Sequence, residues 1–285
     1  MKKVLLATTA LVLMAGVAQA EIALSGSAAM GVARDGEGSG GLNTDGEFHA
    51  YSTAGLTITM SGASDSGLTF GAGFTLGTGT AYYFADDDGF AAEDNATSTE
   101  VYVAGGFGKI AMKVKTDGTG QYKAYQTDDA KGYDLQYTHS MGALSVGLRA
   151  DVDGDAADGD YSVSLGYAQD AVSASLAYDA DGAWGASGSY TMGAITATLG
   201  TDDSSVSSIK VAYDADGMSA SFKTNTDSDW DLAAGYSANG ISVGVELDES
   251  DVWSATAGYD LGGGAALAAG INSSEDAHVG MSFSF

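Results

Sequence analysis

The sequence predicts an all-β chain, a transmembrane antiparallel β-barrel, on three observations. Tyr167, Tyr190, Tyr213, Tyr236 and Tyr259 recur every 23 residues, and Trp184, Trp230 and Trp253 fall on the same beat. Between turn signals the residues alternate with period two, the mark of β structure with two chemically different faces. Proline is absent from all 285 residues, where average usage near 5% predicts on the order of fourteen. Proline omits an N–H donor and belongs on strand edges and bulges, and a closed barrel has no edge.

Residues 1–20 read as a secretory signal. Lys2 and Lys3 precede an apolar run from Val4 to Val17, and Ala18, Gln19 and Ala20 form an A-x-A cleavage site. The expected organisation is a signal peptide over 1–20 and one barrel domain over 21–285. The apolar run is short for a spanning helix of about 20 residues, and no later stretch is continuously apolar, so the membrane reading rests on strands. The mature chain keeps nine Lys and Arg against 38 Asp and Glu, a net charge of −29, which argues against nucleic acid as a partner. Cysteine is absent, so neither disulfides nor thiol chemistry contribute.

Strands are expected near 21–33, 47–62, 66–78, 98–106, 110–116, 132–140 and 143–151. They continue near 160–168, 171–178, 183–191, 194–201, 206–213, 217–224, 229–237, 240–247, 251–259, 264–271 and 277–285, eighteen in all. An even count keeps both termini on the periplasmic side. Turns such as 214–217, 237–240 and 260–264 follow the Tyr-ended strands and supply Gly where φ is positive. The longer connections, 34–46, 79–97 and 117–131, then lie outside. Barrels of 16 to 18 strands are wide enough for an aqueous channel rather than a packed interior.

One parity is apolar throughout: Val163, Leu165 and Tyr167; Trp230, Leu232, Ala234 and Tyr236; Ile241, Val243, Val245 and Leu247. The other carries Ser, Thr, Gly and the strand charges Lys113, Lys115, Arg149, Lys210, Lys223, Asp134, Asp231 and Glu246, the candidate pore-lining residues. A charge facing lipid at mid-depth costs about 2–4 kcal/mol, which accounts for the clean apolar face. Tyrosines end one set of strands and tryptophans begin the same set. Tyr167, Tyr190, Tyr213, Tyr236 and Tyr259 with Trp184, Trp230 and Trp253 therefore form two girdles at the lipid–water boundaries.

Five blocks carry a family resemblance: 21–32 at the mature N-terminus, 59–74, 101–112, 259–271 and the closing strand to Phe285. Through them the chain resembles the trimeric general porins of alpha-proteobacteria, the purple-bacterial type. The resemblance implies an outer-membrane homotrimer passing small hydrophilic solutes by diffusion, and a 16-strand barrel, two fewer than the count above. It also implies a long external loop folded inward as a constriction, with acids facing basic residues on the wall. Here 116–132, with Asp128 and Asp129, is short; 79–97, with Asp86, Asp87, Asp88, Glu93 and Asp94, is longer and is the candidate substitute. The last strand, with Phe283 and Phe285 on one face, resembles the recognition strand read by the barrel-assembly machinery.

The remaining motifs narrow the function. The run 151–160, with Asp151, Asp153 and Asp155, invites a Ca2+ reading, since hard cations take six to eight oxygens. As an EF-hand it fails, because Ala156 and Ser162 stand where Gly and Glu belong. A looser divalent site bridging lipopolysaccharide phosphates and a solvated acidic loop are the two readings, and no cofactor is required. His49, His139 and His278 are far apart in sequence, and nothing suggests a catalytic base with an orienting carboxylate, so an enzyme is not expected. Cation preference follows from the net charge. Gly26, Ala28, Ala255, Ala257, Ala265 and Ala269, small and outward, are the expected subunit contact. The rival is a structural or surface-interaction barrel with a closed lumen. A secreted calcium-loaded β-solenoid is disfavoured because its nonapeptide repeat is missing.

Overall fold

The computed structural model describes residues 20–34, 46–84, 90–92, 95–112, 134–152, 161–180 and 182–285. These form β1 (Ala20–Arg34), β2 (Phe48–Ala63), β3 (Thr69–Tyr82), β4 (Phe90–Ala92), β5 (Asn95–Gly105), β6 (Gly108–Met112), β7 (Leu135–Met141), β8 (Leu144–Ala150), β9 (Tyr161–Gln169) and β10 (Val172–Asp179). β11 (Trp184–Met192), β12 (Ile195–Asp202), β13 (Ser207–Ala215), β14 (Met218–Asn225), β15 (Trp230–Ala238), β16 (Ile241–Asp248), β17 (Trp253–Gly262), β18 (Ala265–Asn272) and β19 (Ala277–Ser284) complete the chain. Every neighbour is antiparallel. β1 pairs with β2 on one side and with β19 on the other, so the sheet closes.

β4 and β5 both pair with β3, β4 along Thr80 to Tyr82 and β5 along Thr69 to Gly77. They are two pieces of one stave, and the nineteen elements make an 18-strand barrel. The 16 strands implied by resemblance are therefore corrected; the count from alternation and turns holds. Predicted and observed strands agree closely from 132 onward. The larger departures surround 79–97, where β3 extends to Tyr82 and β4 supplies a strand the alternation did not reveal.

Turn chemistry accounts for the regularity. Asp216-Gly217 and Asn239-Gly240 have positive φ at both positions, 53° and 78°, then 52° and 81°. That is the type I′ geometry whose twist matches the flanking strands. A Cβ on Gly217 would sit 2.2 Å from the Ser237 carbonyl oxygen, so glycine is required there. At the opposite end each turn from β10 onward opens on an Asp or Asn, namely Asp179, Asp202, Asn225, Asp248 and Asn272, whose side chain folds back onto the loop. Asp202 Oδ1 accepts from Val206 N at 3.2 Å, and Asp248 Oδ1 from Ser250 N and Val252 N, both at 2.9 Å. Asn225 and Asn272 bond in the same way. The second turn residue then caps the neighbouring strand: Asp203, Glu249 and Ser273 side chains accept from the N–H groups of Trp184, Trp230 and Trp253. Asp179, Asp202, Asp203, Asp248 and Glu249 thus satisfy backbone donors that would otherwise be orphaned.

The described residues form no conventional core. Among the described residues the buried apolar side chains are Ala33, Phe90, Ala111, Ala177 and Val206, and Phe90 is the largest fully buried one. The bulky residues of the predicted outer face stand exposed instead, including Leu199 at 61%, Val245 at 54% and Tyr190 at 55%. Such a surface is stable only against hydrocarbon, where the closed ladder also satisfies every strand N–H and C=O. No helix among the described residues is long and apolar enough to cross a membrane.

Candidate functional site

The inner wall is hydroxylated and low in relief. Cross-strand hydroxyl pairs join Thr57 to Thr75 at 3.0 Å, Ser175 to Ser187 at 2.9 Å and Ser189 to Thr198 at 2.8 Å. Elsewhere a hydroxyl lies over a neighbouring glycine. A Cβ on Gly235 would meet Ser219 Oγ at 2.7 Å, and one on Gly258 would meet Ser242 Oγ at 2.6 Å. Glycine beside serine lets each hydroxyl lie flat, leaving room for water.

Strand register sets the charges in order around this wall. Thr198 pairs with Lys210, Lys210 with Lys223, Lys223 with Asp231 and Asp231 with Asp248, placing two lysines and two aspartates on consecutive strands. Lys223 Nζ lies 3.5 Å from an Asp231 carboxylate oxygen, an ion pair exposed enough to be weak. Glu246 sits between Ala233 and Ser254 across the ladder. Arg149, half-buried, lies between Gln136 and Ser162. Asp134 has a structural task, since its Oδ1 accepts from Val152 N at 3.0 Å at the end of the β7–β8 hairpin. Lys113, Lys115, Asp86, Asp87, Asp88, Glu93, Asp94, Asp128 and Asp129 lie outside the described residues, as do Asp153 and Asp155, while Asp151 is buried. Among the described residues no group of three or more His, Cys, Asp or Glu could hold a metal ion.

The alternation did not reveal an ion pair and an aromatic cluster on the inner wall. Lys109 pairs with Glu100 and stands 4.5 Å from the Tyr102 ring centroid. At the outer end, His49, Tyr51, Tyr82, Phe84, Phe90 and His278 pack together. Ring centroids lie 5.8 Å apart for His49 and Phe90, 4.9 Å for Tyr82 and Phe90, and 4.7 Å for Phe84 and His278. Two of the three histidines, distant in sequence, thus share one cluster through the β1–β19 closure. Glycines seat the rings: a Cβ on Gly280 would fall 2.0 Å from Tyr51 Oη, and one on Gly270 would fall 2.8 Å from Phe84 Cε1. Parity alone puts Tyr82 on the outer face with Leu76. Gly79, at φ +110°, lies between them, and Tyr82 turns inward to donate from its hydroxyl to the Arg34 carbonyl oxygen at 3.0 Å. The only legible signal was that glycine inside a strand pattern.

Register aligns Tyr167 with Leu144, Tyr190 with Val172, Tyr213 with Ile195, Tyr236 with Met218 and Tyr259 with Ile241, each tyrosine beside the first residue of the preceding strand. Trp184, Trp230 and Trp253 begin their strands at the other edge. Phe283 is partly covered and Phe285 is 72% exposed. Phe285 also closes the barrel, donating to Gly26 O at 2.9 Å and accepting from Gly26 N at 3.1 Å.

The sequence model described as Gram-negative porin matches residues 7–112 and 114–278. No curated protein matches the chain. Among solved structures, a triple mutant of the Rhodopseudomonas blastica porin aligns with a TM-score of 0.56 at 15% identity, over 93% of this chain and 100% of that one. Salmonella typhi OmpF in complex with daunomycin aligns with a TM-score of 0.53 at 12% identity, over 93% and 98%. Vibrio cholerae OmpT, in a trimer form, aligns with a TM-score of 0.54 at 9% identity, over 93% and 99%. At these identities the structures speak for the fold.

Proposed function

The chain belongs to the Gram-negative porin family, and from that premise we propose a cation-preferring outer-membrane channel for passive diffusion of small hydrophilic solutes and ions. The family and the barrel fold make it an outer-membrane channel protein. The preference for cations and the class of solute are our reading. The observation that carries it is the wall itself, with hydroxyls and separated charges inside and bulky apolar residues outside. A polar lumen lets solutes keep much of their hydration, and fixed charge then selects among them. Lys223 and Asp231, 3.5 Å apart, offset each other locally. We assign the barrel transport without bond chemistry.

The test is a reversal potential in a planar bilayer under a salt gradient. A cation-favouring potential is expected, and Lys223→Gln should shift it further toward cations by releasing Asp231. A chloride-favouring potential overturns the preference. Liposomes containing the protein should swell in small sugars; failure to swell would favour the rival, a structural barrel with a closed lumen.

Two further parts of the reading rest on sequence. Export by a signal ending at Ala20 would leave Glu21 as the mature N-terminus, which N-terminal sequencing checks. Assembly as a homotrimer is supported by the outward small residues Gly26, Ala28, Ala255, Ala257, Ala265 and Ala269, which lie on β1, β17 and β18, elements made contiguous through β19. Ala257→Trp should shift unheated gel mobility to monomer. Unchanged mobility would count against this sector.

A further inference from the structure

Phe84 lines a cavity of about 770 Å3 inside the barrel, along the wall of β13 to β17. Its ring is seated beside that wall, over Gly270 of β18, the ladder partner of Thr256, and against His278 at 4.7 Å between centroids. Ser219, Ser242 and Thr256 offer hydroxyls to the same cavity, and Glu246 offers a carboxylate. Glu246 makes no ion pair among the described residues; Ala233 and Ser254 flank it, and Lys223, two strands away, lies 3.5 Å from Asp231. The volume falls within the range of about 300–1,000 Å3 that small-molecule sites occupy.

We propose that this cavity is a binding subsite for organic monocations with a flat apolar body, held between the Phe84 ring and the Glu246 carboxylate. The inference rests on the channel reading and adds a substrate class to it. An aromatic face attracts both apolar surface and positive charge. The Glu246 carboxylate in the same cavity, without an ion-pair partner among the described residues, selects the sign of that charge, and the hydroxyls supply neutral hydrogen bonds without competing for it. An inorganic cation uses only the carboxylate, and an aromatic anion only the ring. A cation carrying a ring uses both, so it dwells where smaller ions pass.

The experiment measures block of potassium current through the full-length protein in a planar bilayer. Benzyltrimethylammonium should reduce the current at a lower concentration than tetramethylammonium, and benzenesulfonate should not block. Phe84→Ala and Glu246→Gln should each raise the half-blocking concentration of benzyltrimethylammonium roughly three- to thirtyfold, while potassium conductance persists. Asp216→Asn removes one acid at the β13–β14 turn, where Gly217 but not Asp216 lines the cavity and where Asn239 already serves an equivalent position in the next such turn, and should leave block unchanged. Equal block in wild type and both cavity variants overturns the subsite, as does weakening by Asp216→Asn equal to that by Glu246→Gln. Absence of any potassium conductance in wild type overturns the channel reading itself, and the subsite with it.

Discussion

Exchanging two adjacent residues on β13, Lys210→Val with Val211→Lys, moves one positive charge from lumen to lipid without changing composition. Val211 is 43% exposed, with Ala197 and Phe222 as its ladder partners, and is the fifth residue of a nine-residue strand. Four residues separate it from either end, about 13 Å along the strand at roughly 3.3 Å per residue. With strands tilted about 40°, that is about 10 Å of height within an apolar band of about 25 Å. Val211 therefore lies near the midplane, where Lys costs about 2–4 kcal/mol, or roughly 30- to 900-fold in the folding equilibrium. Lys210→Val alone should cost under about 1 kcal/mol, because Lys210 abuts Lys223 across the ladder and like charges directly opposite are destabilising. Urea unfolding in lipid vesicles, followed by tryptophan emission, reads both. If Val211→Lys were as stable as wild type while Lys210→Val lost several kcal/mol, the assignment of faces would be wrong.

Three perturbations probe finer features. Asp202→Ala removes the acceptor for Val206 N and Ser204 Oγ and should lower the unfolding free energy measured in urea by about 1–2 kcal/mol; Asp202→Asn should stay near wild type, because Asn225 and Asn272 do the same work in neighbouring turns. Gly280→Ala places a Cβ 2.0 Å from Tyr51 Oη, so the ring must swing into the lumen and single-channel conductance should fall; the double variant with Tyr51→Ala should restore it, and a fall that persists would show that the ring is not the obstruction. Deleting Phe285 removes both backbone bonds to Gly26, and the yield of heat-modifiable barrel on gels should drop.

The repeat was legible because the architecture counts residues. An eight-residue β12, a four-residue external turn, a nine-residue β13 and a two-residue periplasmic turn fill the 23-residue period, so Tyr190 and Tyr213 must land on one rim. The interior was only half legible. Parity placed Lys210, Lys223, Asp231 and Glu246 on the wall, but it carries no register, and register is what sets Lys223 against Asp231. Phe84 and Phe90 fall in a stretch without period, and Gly79 inverts the alternation just before them. No local pattern predicted that His49 and His278 would meet, because only closure of β1 on β19 brings their strands together.

A wall one residue thick must satisfy hydrocarbon and water at once, which explains why glycine and serine dominate its inner side. Bulk outside is free to vary, since lipid conforms to it. Bulk inside obstructs the channel, so the rings that do point inward need glycine beneath them: Gly71 under Tyr102, Gly280 under Tyr51, Gly270 under Phe84. Each pair trades the entropy cost of a glycine in a strand for a ring lying flat against the wall. Where the ring lies flat it narrows the channel little while offering a face to passing solutes. The inward aromatics are therefore best understood as surface features of the passage, and Phe84, which shares its cavity with the Glu246 carboxylate, gives the lumen a chemical preference that its width alone would not.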